Sequence, residues 1–185
     1  MKFREFINES KVVTFHGSSA KVGKIEAKYM NDGNNQEGIG FYMGDLETAE
    51  TYGSNIVTAE IDTKNYIDSR KDIGKFVKVD KITDILSDML KADTEAMYYM
   101  ITDWGIDIAE PEDIEYEHLE FLADKMQNDE VRNFQVTLAE TFEVEPFVES
   151  WNKHLPKIHG TFQPQNRDIW YCVINTKVKV KSYQA

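Results

Sequence analysis

A chain of 185 residues, 41% hydrophobic and 29% charged, has the apolar material for one domain with its own core and room for an insertion. Its formal net charge of −12 disfavours nonspecific binding to nucleic acid or to an anionic membrane, and favours solubility or a basic partner. A single cysteine, Cys172, excludes an internal disulfide, and no apolar run approaches the ~20 residues of a membrane-spanning helix.

Residues 1–10 read Met-Lys-Phe-Arg-Glu-Phe-Ile-Asn-Glu-Ser, with Phe3, Phe6 and Ile7 at helical spacing. The stretch is too short and too charged for a secretory signal, and reads as an amphipathic turn. Residues 12–15 predict a buried strand that runs into His16-Gly17-Ser18. Lys24 to Tyr29 predict a short helix, with Ile25 and Tyr29 four apart on one face. Residues 31–36 form a polar loop full of turn formers. Gly38 and Gly40 then bracket Ile39, ahead of Phe41 and Tyr42. Paired glycines let backbone approach a ligand closely or take a positive φ. Asp45 is placed to cap a helix that presents Tyr52, and Gly53 to stop it. Val57, Ala59 and Ile61 alternate with Thr58, Glu60 and Asp62, the pattern of a half-buried strand. Residues 76–79 are a further candidate strand.

From about 80 to 154 the period changes. Ile82, Ile85, Leu86, Met89 and Leu90 follow a helical stripe, as do Met97, Met100, Ile101 and Trp104. Pro111, among acids, suits a helix start, followed by faces of Leu119, Leu122 and Met126, then Val131, Phe134 and Leu138. The region reads as a helical insertion whose stripes are core and whose acids are solvated. After Pro156, residues 158–162 predict a short strand and 164–167 a loop. Residues 169–174 are apolar throughout, as in a central strand buried on both faces, which makes Cys172 an inert buried thiol. Lys177, Lys179 and Lys181 alternate with Val178 and Val180, a final strand with one wet face.

Four histidines, His16, His118, His154 and His159, show no metal-ligand spacing, and no phosphate-binding glycine loop occurs. What remains is an ordered set: an apolar strand ending His16-Gly17-Ser18, then Gly38-Ile39-Gly40-Phe41-Tyr42, then Ala49-Glu50-Thr51-Tyr52-Gly53, then a strand. This set, over about residues 12–70 and a C-terminal part, resembles ADP-ribosyltransferases of the diphtheria-toxin and poly(ADP-ribose)-polymerase type. The resemblance implies an α+β fold of split, mostly antiparallel sheets, here with the helical insertion. It implies NAD as substrate and a protein acceptor. In that family a histidine contacts the adenine-side ribose, and the next glycine pairs with the nicotinamide carboxamide. Tyrosines stack on the ring, and a glutamate opening a late strand bonds the nicotinamide ribose. On those positions fall His16, Gly17, Tyr42 and Tyr52, with Ser18 and Gly40 beside them as cofactor-binding residues.

Three departures stand out. The Tyr42–Tyr52 interval is one residue short of the polymerase pattern, and the carboxamide-bonding serine has no counterpart beyond the neighbouring Thr48 and Thr51. Further, Trp170-Tyr171-Cys172-Val173-Ile174-Asn175 aligns with the glutamate strand and puts Trp170 in the glutamate position. An indole donates but cannot accept. Asp168 lies two residues earlier, on the same strand face, and is the substitute carboxylate, making His16, Tyr42 and Asp168 the catalytic candidates. Gln163, Gln165 and Glu37 are weaker ones. The N-terminus resembles the capsid-targeting peptide of internal head proteins of large tailed phages, cut after Glu9, which implies residence in the virion and then the host cytoplasm. The leading expectation is a mono-ADP-ribosyltransferase modifying a host protein. Its rivals are a catalytically silent relative and an acidic protein that binds a basic host target.

Overall fold

A computed structural model describes residues 11–30, 38–165 and 168–183. The N-terminal peptide, the whole 31–36 loop and Glu37 lie outside them. Among the described residues, two sheets and six α-helices make up a mixed α and β fold. The first sheet holds β1 (Lys11–Ser18), β3 (Asn55–Asp62) and β7 (Lys181–Ser182) in the order β1-β3-β7. The second holds β2 (Phe41–Met43), β4 (Tyr66–Asp68), β5 (Gly160–Gln165) and β6 (Asp168–Val173) in the order β2-β6-β5-β4, all antiparallel except β4 with β5. The sheets meet at one bridge, where Phe15 and Gly44 exchange backbone hydrogen bonds of 2.9 Å.

Local sequence explains most elements. In β3 the alternation buries Val57, Ala59 and Ile61 and turns Thr58, Glu60 and Asp62 outward or to the margin. Between β2 and β3 lies α1 (Leu46–Tyr52), capped by Asp45, whose Oδ1 accepts from Thr48 N at 2.7 Å. Gly53 ends α1 by close approach, with an extended backbone rather than the expected left-handed cap. A Cβ there would meet the Ser18 carbonyl carbon at 2.2 Å.

The helical layer comprises α2 (Val79–Ala92), α3 (Thr94–Asp103), α4 (Tyr116–Met126), α5 (Val131–Phe142) and α6 (Val144–His154). The expected stripes are its core: Ile82, Ile85, Leu86 and Met89 on α2, Leu119, Leu122 and Met126 on α4, Val131, Phe134 and Leu138 on α5 are all buried. Glu143, with φ of 67°, makes the sharp corner between α5 and α6. Helix α6 fastens this layer to the sheets. Trp151, fully buried, donates its indole N–H to Ile158 O at 3.0 Å, and Asn152 reaches Ile174 O at 3.2 Å. One contiguous apolar core runs through strands and helices alike.

Five local expectations are corrected. Residues 24–29 form only a single 3-10 turn over Ala27–Tyr29, so buried Ile25 and exposed Tyr29 do not share a face. Residues 76–79 are not a strand. A 3-10 turn over Ile73–Lys75 leads there into α2, and its satisfied backbone leaves no edge to pair. Around Pro111 there is again only a 3-10 turn, and α4 starts five residues later. Residues 177–180 are a turn, held by Lys177 N bonding Asn175 Oδ1 at 2.9 Å, which leaves a two-residue β7. Conversely β5 runs on through Pro164 and Gln165, where a loop was expected. Its ladder partner β6 supplies the pairing.

Candidate functional site

A cleft of about 690 Å³ opens where the two sheets meet. Its walls are the end of β1 (Phe15 to Ser18), the segment 19–29, strand β2 with Gly40 and Gly44, the inner face of α1, and Trp170 of β6. A volume of this size lies in the range of a small-molecule or cofactor site.

Strand β1 is an edge strand, and its outer edge forms part of the cleft. Phe15 bonds Gly44 on that side through both N–H and C=O. Residues of an antiparallel strand alternate in where their backbone groups point. Gly17, two residues on, therefore turns its own N–H and C=O to the same outer side, away from β3. Gly17 is also where α1 comes closest. A Cβ there would lie 1.7 Å from Ala49 O, so no other residue fits without moving the helix. Gly40 lies against β6 in the same way, with a notional Cβ 2.7 Å from the Cys172 carbonyl carbon.

His16 is held on two sides. Its Nδ1 is 2.8 Å from Tyr42 O, and its ring lies 3.9 Å from that of Phe41, centroid to centroid. A carbonyl only accepts, so Nδ1 carries the proton. Burial holds the imidazole pKa below its ordinary value, against the pull of the Tyr42 carbonyl. The ring is therefore neutral near pH 7 and keeps Nε2 as an acceptor. Tyr42 donates its hydroxyl to Gly38 O, and Gly38 sits at φ of 108°, where a side chain would be strained.

The aromatic wall has three rings. Trp170 meets Tyr42 edge-on at 6.3 Å and Tyr52 edge-on at 6.2 Å. Tyr52 is 61% exposed, so a large part of its ring is open at the cleft.

Of the sequence candidates, His16, Gly17, Ser18, Gly40, Tyr42 and Tyr52 all line this one cleft. Asp168 does not. It shares a strand face with Trp170, and both approach Gly44. Its carboxylate, however, turns to backbone: Oδ2 accepts from Asp45 N at 3.0 Å and Oδ1 from Ile169 N at 2.7 Å. Burial raises its pKa, opposed by these two bonds. Gln163 is likewise engaged, its Oε1 accepting from Ser69 Oγ at 3.1 Å. Gln165 and Glu37 contribute no described side chain to the site.

The structure adds residues that sequence reasoning passed over. Lys21, Lys24, Lys28, Glu26 and Tyr29 all line the cleft. Three lysines within eight residues, in a chain of net charge −12, were the available signal. Glu26 bonds two of them, one on each oxygen: Lys24 Nζ lies 3.0 Å from Oε1 and Lys28 Nζ 3.4 Å from Oε2. Among the described residues no group of three His, Cys, Asp or Glu side chains converges to hold a metal ion, and no helix is long and apolar enough to cross a membrane.

No protein-family model matches the chain, and no curated protein does. A solved crystal structure of an anti-CRISPR protein is similar over 95% of this chain and 97% of its own, with 12% identity and a TM-score of 0.37. A likeness at that level decides neither fold nor function.

Proposed function

We propose that the cleft binds NAD and that the chain is a mono-ADP-ribosyltransferase acting on a host protein, carried in a phage head and released with its contents. One observation supports this reading above the rest. Six residues taken from three separated motifs, His16, Gly17, Ser18, Gly40, Tyr42 and Tyr52, meet around one cleft. Nicotinamide would lie between the Gly17 backbone edge and the Tyr52 ring. An amide has one donor and one acceptor side, which is what an open strand edge offers. A neutral His16 accepts at Nε2 from a ribose hydroxyl.

In the transfer, the bond from ribose C1′ to the nicotinamide nitrogen breaks and nicotinamide leaves neutral. The bonding pair goes with it, so the ribose passes through an oxocarbenium-like cation, as in glycoside cleavage. The acceptor nucleophile then bonds C1′ and gives up its proton. A carboxylate near C1′ stabilises that cation, and Asp168 is the nearest one on the strand that carries Trp170.

A second reading is favoured by a specific observation. Trp170 stands in the cleft wall at the expected carboxylate position, and both Asp168 oxygens accept backbone bonds. The chain would then bind NAD and leave it intact. Labelled NAD incubated with bacterial lysate separates the two, with Asp168→Ala and Trp170→Glu run alongside. Modified lysate proteins that disappear with Asp168→Ala, at unchanged NAD affinity, support transfer. An inert wild type that gains turnover as Trp170→Glu supports the silent reading. Absence of any NAD affinity refutes both.

A further inference from the structure

The segment 19–29 forms one wall of the cleft, and none of the motifs that suggest NAD lies in it. It departs from the rest of the chain in charge. Among the described residues, the charged side chains that line the cleft are three lysines and one glutamate, a net positive patch on a protein of net charge −12. These charges are arranged. The single carboxylate of Glu26 lies between Lys24 and Lys28 and takes one ammonium on each oxygen, at 3.0 and 3.4 Å. Lys28 is fixed a second time by the Tyr29 ring, whose centroid is 4.8 Å from its Nζ. Lys21 lines the cleft and makes no ion pair among the described residues. Tyr29 itself is 59% exposed although it lines the cleft. It is the second open aromatic ring there, after Tyr52.

A carboxylate that gathers two ammonium groups spaces them for a ligand with more than one anionic centre. A single monovalent anion would need only one of them. An open ring beside the charges offers a flat surface to a base. We infer that Lys21, Lys24 and Lys28 take the diphosphate of a dinucleotide and that Tyr29 stacks on its adenine, leaving the Gly17 edge and Tyr52 for the other end. The ligand class is therefore a nucleoside diphosphate linked to a second group, and not a free nicotinamide riboside or a mononucleotide. The assignment rests on the NAD-binding reading only for what occupies the far end. The adenine and diphosphate part stands on the lysines and Tyr29.

The test is calorimetry of the full chain with NAD and with ADP-ribose, which lacks nicotinamide, at two salt concentrations. The variants are the triple Lys21→Gln, Lys24→Gln, Lys28→Gln, together with Tyr29→Ala and Tyr52→Ala. Lys24 and Lys28 side chains are 74% and 58% exposed, so the triple variant folds, and its melting curve checks this. ADP-ribose should bind the wild type, weaken with salt, and lose about tenfold or more in the triple variant, since charge-assisted contacts to an anion are lost. Tyr29→Ala should weaken both ligands, and Tyr52→Ala only NAD. Wild-type affinity for NAD with no change in the triple variant overturns the lysine assignment and leaves the NAD reading standing. ADP-ribose binding that depends on the lysines, with NAD no tighter and indifferent to Tyr52, keeps the assignment and removes the NAD reading. No binding of either ligand overturns both.

Discussion

Gly17→Ala tests how the cleft is built. The added Cβ would sit 1.7 Å from Ala49 O, 2.7 Å from the Ala49 carbonyl carbon and 3.3 Å from Gly53 N. All three are backbone atoms of α1 or its end, so no side chain can rotate away. Ordinary contact begins at 3.4 Å, so α1 must withdraw by roughly 1.5 Å or β1 must bend by as much. Overpacking of this kind costs about 1–3 kcal/mol, and a backbone clash belongs at the upper end. At about 2–4 °C per kcal/mol for a chain of this size, the melting temperature should fall by about 6–12 °C. The same shift moves Thr48, Ala49 and Tyr52, which line the cleft, so NAD affinity should fall as well. Gly23→Ala is the control. It lines the same cleft, but a Cβ there meets nothing within 4 Å, so its melting temperature should hold or rise slightly. Calorimetric melting curves of both variants decide the matter. A Gly17→Ala protein that melts with the wild type would show that α1 does not press on β1, and the cleft geometry would fall with it.

Three further outcomes follow from individual contacts. Burial pushes the Asp88 carboxyl up, but hydrogen bonds from Lys153, His154 and Lys91 outweigh it and hold the pKa well below the ordinary 3.8. Its stabilising share is then complete above about pH 4 and is lost as pH falls below that. Asp88→Asn should flatten the acid side of a melting-temperature-versus-pH curve and cost about 1–3 kcal/mol near neutrality. His16 titrates in the other range: burial lowers its pKa from 6.5, so the unfolded chain binds the proton first, and stability falls as pH drops below about 6.5. NAD affinity should fall only at lower pH, once Nε2 of the folded protein is protonated, and an affinity that stays flat through the pH at which NMR shows the His16 imidazole taking up its proton would refute the acceptor role. Trp151→Ala removes a fully buried indole and its bond to Ile158 O, and should cost about 3–5 kcal/mol by denaturant unfolding.

The helical layer was legible because its stripes repeat over many turns and tertiary packing agreed with them. Strand β3 was legible by strict alternation, and α1 by a capping residue that bonds as its type suggests. The misreadings are short elements. Residues 24–29 and 110–113 have helical composition but too few residues to nucleate a helix, so each closes a single 3-10 turn. At 76–79, Phe76, Val77 and Val79 around Lys78 suggest a strand, where length alone could not separate a strand from the start of a helix. Strand β5 was cut short because Pro164 argues against a ladder. It is accommodated opposite Ile169 in a strand that pairs β6 on one side and the three-residue β4 on the other. In the site, the motif residues carried their own order, whereas the lysine wall had no motif. Its meaning came from the fold, which brings Lys21, Lys24 and Lys28 to the cleft that His16 and Tyr52 line.

Whether the cleft transfers ADP-ribose turns on the carboxylate, and magnitudes narrow the question. For Asp168 to reach the cleft it must release Asp45 N, an exposed donor that water can satisfy, and the loss of that charge-assisted bond costs about 1–3 kcal/mol. The rotated state would then be populated about 5–150-fold less than the bonded one. A penalty of that size slows an enzyme without abolishing it, because rate accelerations amount to about 8–23 kcal/mol. The bond to Asp45 therefore does not by itself make the chain silent. Trp170 is the larger obstacle: it holds the wall between Tyr42 and Tyr52, and its indole offers no acceptor to a ribose hydroxyl. The charge balance of the cleft bears on the same point. Three lysines against one glutamate would oppose a cation forming nearby, unless a bound diphosphate neutralised them. Bound ligand would thus prepare the site for a cationic ribose, and a slow transferase is compatible with a positive cleft only when the ligand is a dinucleotide bound whole.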